Sequence, residues 1–112
     1  MMKVIKKAKD EVNLEAAHGG AGSRKLFVAE DEIKNIQGIT HGYLEPNGVF
    51  EFHAHNDCNE FMYVLKGNGI VMDEEGEYAF EEGDFFIFPK NIIHGQKNTG
   101  NITFEAVFIR TK

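Results

Sequence analysis

Three histidines and one glutamate stand at spacings that suit a single metal ion. They are His53 and His55 in HAHNDCNEFMYVLKG, Glu60 five residues on, and His94 in PKNIIHGQKN. Side chains alternate between the two faces of a strand, so His53 and His55 share a face. Glu60 opens the next apolar run after a short turn, Asn56 to Asn59, built from turn-forming residues. A hairpin would therefore deliver two imidazoles and a carboxylate to one side of a sheet, with His94 arriving from another strand. Such a mixed nitrogen and oxygen set suits one divalent transition metal ion (Mn, Fe, Ni or Zn), with coordination positions left for water or substrate. A purely structural zinc site would more usually close with cysteine or histidine alone.

Parity extends the site. On an unbroken strand Val49 and Glu51 share the face of His53, while Phe50, Phe52 and Ala54 point away. Met62 and Val64 follow Glu60 inward, with Phe61, Tyr63 and Leu65 outward. Gln96 and Asn98 follow His94. The pattern predicts an apolar cavity lined by Met62, Val64 and phenylalanines, with Gln96 and Glu51 as polar groups able to hold or move a proton. The assignment requires that no β-bulge interrupts the strand. His41, mid-strand in GITHGY, reads as a hydrogen-bonded structural residue, and His18, in AAHGGAGSRK, as part of a mobile entry loop. Cys58 reads as a small turn residue, because histidines committed to a metal leave it no base to make a thiolate.

The elements that must position these residues are short strands between turns. They are expected at Lys25 to Ala29, Gln37 to Leu44, Val49 to His55, Glu60 to Lys66, Gly69 to Asp73, Glu77 to Phe80, Asp84 to Phe88, Ile92 to Asn98 and Ile102 to Arg110. Turn signals separate them: EPNG, KGNG, DEEGE, EEGD and NTGN. This rhythm indicates an all-β sandwich or barrel. Residues 1–24 form an arm with a weak strand signal at Val4 and Ile5 and one helical turn over Asn13 to Ala17; the barrel occupies 25–112.

Two stretches carry a family resemblance. Gly48-VFEF-His53-Ala-His55-NDCN-Glu60-FMYVLK-Gly67 resembles the first cupin motif, and Gly83-DFFIF-Pro89-Lys-Asn91-II-His94-GQK-Asn98 the second. The run from Gly48 to His53 is one residue shorter than the family pattern, and Asn91 stands where glycine is usual. Asparagine tolerates the left-handed conformation better than most residues, which keeps the turn. The resemblance implies a single-domain double-stranded β-helix, or jelly-roll barrel, with a metal at His53, His55, Glu60 and His94. Its members include dioxygenases, decarboxylases, isomerases and epimerases, and fold kinship does not choose among them. An oxygen-using or decarboxylating enzyme is the leading expectation, because no basic group stands out for gripping a sugar phosphate. A non-catalytic binding or sensor module is the alternative.

Composition bounds the partners. A chain of 112 residues makes one domain, large enough for a single core. Its net charge of −6 disfavours nucleic acid. No apolar run approaches a membrane span, and the lone Cys58 excludes an internal disulfide, which together predict a cytoplasmic protein with a small-molecule ligand. The outward aromatic residues, Phe50, Phe52, Phe61 and Tyr63 among them, predict a homodimer in which the arm pairs with the partner's sheet.

Overall fold

The computed structural model describes residues 3–17 and 21–112, so His18 lies outside the described residues. Among these residues ten strands form two antiparallel sheets: β1 (Leu14–Ala16), β2 (Ser23–Val28), β3 (Ile36–Leu44), β4 (Val49–His53), β5 (Asn59–Lys66), β6 (Gly69–Asp73), β7 (Gly76–Phe80), β8 (Phe85–Phe88), β9 (His94–Asn98) and β10 (Phe104–Thr111). One sheet has the order β1-β2-β3-β10-β5-β8, the other β4-β9-β6-β7. This is the all-β fold that the turn rhythm predicts and the jelly-roll barrel that the resemblance implies.

The core lies where the inward faces of the sheets meet. On β5 the alternation leaves Glu60, Met62 and Val64 buried, and on β10 Phe104, Ala106 and Phe108 do the same. Val71, Phe80 and Phe88 close the core from the other strands. Full burial of a side chain such as Met62 or Val64 stabilises the fold by roughly 1.5–3 kcal/mol. Asn98 binds the β9 end to its neighbours: its Nδ2 donates to the Leu44 and Ile102 carbonyls at 2.8 Å each, and its Oδ1 accepts from Gly100 N at 2.9 Å. Asn91 adopts φ +70°, the left-handed conformation expected of its position.

Two expectations about the arm need correction. The segment around residue 14 is strand rather than helix, pairing Leu14 with Lys25 and Ala16 with Ser23 in the chain's own sheet. The helical turn is a 3-10 turn earlier, at Lys9–Glu11. Lys7 also ties the arm back, donating to the Phe27 carbonyl and to Glu32. Val4 and Ile5 lie in no strand and are exposed.

The strand carrying His53 also departs from simple alternation. Phe50 pairs with Gln96, but His53 pairs with His94, so Glu51 and Phe52 together stand opposite Gly95. That is a β-bulge. The extra residue lets Phe50 pack against the core while His53, an odd number of positions later, also faces inward. Phe50 is therefore not an outward residue, and its ring meets Phe108 edge-on at 6.1 Å. Phe52 stays half exposed.

Candidate metal centre

Two rows of side chains from the two sheets make the site. Across the larger sheet the pairing aligns Gly38, Arg110, Glu60 and Phe88. Across the smaller sheet it aligns His53, His94 and Asp73. His53, Glu60 and His94 bring one ligand atom each to within 4.8 Å of one another. His55 lies just past the end of β4 and stands off from this trio, with its Nε2 3.8 Å from Glu60 Oε2. The sequence pattern thus brings four residues together, His53, Glu60 and His94 tightly and His55 at a longer distance.

The chemistry of the donors fits a cation. His53 Nδ1 donates to the Glu51 carbonyl at 2.8 Å, and His94 Nδ1 to the Ile92 carbonyl at 3.2 Å. A carbonyl can only accept, so these bonds place the ring proton on Nδ1 and leave Nε2 as the metal-binding lone pair. His94 Nε2 nevertheless lies 3.1 Å from Glu60 Oε1, acceptor facing acceptor, in a place where His94 is 1% exposed. A proton or a metal ion must reconcile them. Two ligands at ~2.1 Å from one ion and at right angles would be ~3.0 Å apart. Among the described residues the Nε2 of His55 is buried without a hydrogen-bond partner, a second position where a metal would satisfy an orphaned ring nitrogen. Phe88 stacks on the His94 ring at 4.0 Å and fixes its orientation.

Electrostatics keep the donors in their ligand forms. Burial is the strongest influence on Glu60 and opposes ionisation, but a proton held between it and His94 Nε2 in the metal-free chain, together with the His55 and Arg110 charges, outweighs burial, so its pKa is lowered. Burial holds the His55 pKa below the usual histidine value, against the pull of Glu60. Burial, then the Asp57 and Glu60 charges, raise the Cys58 thiol, which therefore stays protonated and poorly nucleophilic. His41 is remote from the centre, bonded through Nε2 to Glu105 at 2.9 Å and stacked on Tyr43.

The cluster borders a cavity of about 730 Å³, lined among others by Thr40, Phe50, Phe52, Gln96, Phe108 and Arg110. Gln96 is 1% exposed, and its Nε2 has no partner among the described residues, which makes it a donor available to a ligand. Met62 and Val64 lie in the packed core and not on the cavity wall. Glu51 is exposed at the cavity's edge rather than inward and partly buried, because the bulge separates its parity from that of His53. The proton-handling role expected of it falls with that parity.

A family model described as "Cupin domain" matches residues 40–110, well over half of the chain. The chain is a cupin. Auxin-binding protein ABP19b of Prunus persica is 33% identical over 82 residues, covering 67% of this cupin and 39% of the plant protein. Germin-like protein subfamily 3 member 2 of Arabidopsis thaliana is 32% identical over 69 residues, covering 57% and 30% respectively. The cupin thus spans well under half the length of these curated relatives. A predicted oxalate decarboxylase from Thermotoga maritima superposes with a TM-score of 0.85 at 20% identity, covering 96% of the cupin and 98% of that chain. A sugar phosphate isomerase from Silicibacter pomeroyi gives 0.83 at 18% identity, covering 96% and 76%. These structural likenesses establish the fold.

Sequence reasoning missed the cavity's origin and its cations. The inward face of β3 carries Gly38, Thr40 and Gly42, too small to fill the barrel's end. Arg110 shares the inward parity of Phe104, Ala106 and Phe108, and Arg24 also lines the cavity. An arginine continuing an otherwise apolar inward series, opposite small residues at period two, is the signal that could have found them.

Proposed function

We propose that this cupin is a metal-dependent enzyme acting on a small organic molecule in the cavity beside His53, Glu60 and His94. The reading rests on the buried approach of His94 Nε2 to Glu60 Oε1 at 3.1 Å, two acceptors that a divalent ion reconciles. His53, His55, Glu60 and His94 would hold the ion, whose identity we leave among Mn, Fe, Ni and Zn. Bound there, the metal supplies Lewis acidity or redox chemistry. The chain's own residues do the rest. Gln96 donates its free amide proton to a substrate oxygen, and Phe50, Phe52 and Phe108 give the substrate an apolar wall that excludes water. We favour an oxygen-using or decarboxylating reaction. An isomerase or epimerase is the second reading, favoured by the two arginines in the cavity, which remove the objection that no basic group is available. A binding or sensor module is the non-catalytic alternative.

We further propose that the protein is a cytoplasmic homodimer, joined through the outer face of β5 and β8. There Phe61 and Tyr63 meet the ring of Phe85, and Phe85 and Ile87 are 56% and 62% exposed. Elemental analysis of protein purified without added metal tests the central claim, with one divalent ion per chain expected. A metal-free wild type, or a His94→Ala variant with full metal content, would overturn it. Saturable binding without turnover across carboxylates, flavonols, thiols and sugars would replace the enzyme by the binding module.

A further inference from the structure

The guanidinium of Arg110 has a prepared seat. A Cβ placed on Gly38 would lie 2.7 Å from Arg110 Nη2, so the missing side chain of β3 is what lets the arginine lean across it. Two strands fix its register, Gly38 on one side and Glu60 on the other. Its side chain is 14% exposed, and its one hydrogen bond among the described residues is a long one, from Nη1 to Glu60 Oε2 at 3.4 Å. A guanidinium offers five donors in a planar fork. Most of that fork is unused, it borders the cavity, and it touches a carboxylate of the metal cluster. An ion pair serving stability alone would be expected to make a close two-pronged contact with Glu60. This geometry leaves the fork open.

We propose that Arg110 is the anchor for a carboxylate group of the substrate, with Gly38 as the residue that makes room for it. The inference rests on the metal-site reading and deepens it: the substrate is an organic acid bearing a second oxygen near its carboxylate. A planar carboxylate matches the guanidinium fork in two parallel hydrogen bonds. In the same cavity the amide of Gln96, 1% exposed and without a partner among the described residues, offers a donor to an acceptor oxygen. The apolar part of the molecule lies against Phe50, Phe52 and Phe108. A monoanion suits the site better than a phosphate dianion, because Glu30, Glu51, Asp57 and Glu60 all border the same cavity and repel excess negative charge.

Mandelate carries the three required features: a carboxylate, a neighbouring hydroxyl and an aromatic ring. Its neutral counterpart, mandelamide, differs only at the carboxylate. With metal-loaded protein, calorimetry should show mandelate binding about tenfold or more tightly than mandelamide, the scale of one charged hydrogen-bonded contact. Arg110→Gln should abolish that preference with metal content per chain unchanged, and Arg110→Lys should restore part of it. Gly38→Ala, which crowds the guanidinium and leaves its charge, should weaken mandelate binding without loss of metal. Loss of metal in Arg110→Gln would show that the arginine only supports Glu60, and overturns the proposal. Equal affinity for the two compounds, or tighter binding of inorganic phosphate, overturns the substrate class while leaving the metal site standing. Failure of the wild type to take up metal would instead sink the reading beneath it.

Discussion

At the scale of single residues, the site is decided by where two ring protons sit. The backbone carbonyls of Glu51 and Ile92 hold the Nδ1 protons of His53 and His94, which frees both Nε2 atoms for a metal. His94→Ala should therefore reduce metal content to a small fraction of one ion per chain, while far-ultraviolet circular dichroism stays that of a β protein. His55→Ala should weaken metal binding less, because His55 stands outside the tight trio. Acid acts in the same direction through two groups. The His55 pKa is below its ordinary value of 6.5, so the unfolded chain binds its proton first, and metal-free protein should lose stability as pH falls below that value. The lowered pKa of Glu60 extends the loss as pH falls below 4.5 and through the folded value. Thermal melts of metal-free protein between pH 8 and pH 4 on the order of one unit apart would check this, and a flat profile would refute it. Asn98→Ala, which leaves the Leu44 and Ile102 carbonyls without their buried donor, should cost on the order of 2–3 kcal/mol in denaturant unfolding.

At the scale of elements, strand positions were legible because hydrophobic alternation and turn residues agree with each other. Gly69–Asp73 falls where expected, the other expected strands differ at their ends by a residue or two, and β1 alone among the described strands was not expected. The approach of the candidate ligands to one another was legible for the same reason, since one strand and one hairpin fix most of them. The bulge at Glu51 and Phe52 was not. One added residue breaks the parity of five and leaves no periodic trace. Its only hint is Gly95, directly after His94: a Cβ there would lie 2.8 Å from the Phe50 carbonyl. Gly95→Ala should push the bulge away, turn His53 from the cluster, and weaken metal affinity by about tenfold or more in chelator competition. Unchanged affinity would mean that the bulge can move without the histidine. Arg110 was overlooked for a different reason: its role depends on β3, β5 and β10 lying side by side, a contact that local periodicity does not contain.

At the scale of the whole molecule, the outward aromatic face of β5 and β8 borders the open edge of the larger sheet. Sedimentation should give a species of twice 12.6 kDa, and a Phe85→Asp, Ile87→Asp double variant should return it to the monomer. A wild type that is already monomeric at tens of micromolar would remove the dimer.

The order of strands carries a kinetic consequence. The middle of the larger sheet is occupied by β10, the last of the described strands, wedged between β3 and β5. Until residues 104–111 arrive, β3 and β5 have no neighbour to join them, and Phe104, Ala106 and Phe108 are missing from the interior. In a nascent chain β1, β2 and β3 can pair, as can β5 with β8 and the four strands of the smaller sheet, but the two halves of the larger sheet join only in one late event. Strand pairing across such sequence distances belongs to the slow class of single domains, on the order of milliseconds to seconds. Truncation after residue 103 should yield an aggregating chain rather than a weakened cupin, because it removes the keystone of the sheet and leaves two hydrophobic strand edges bare.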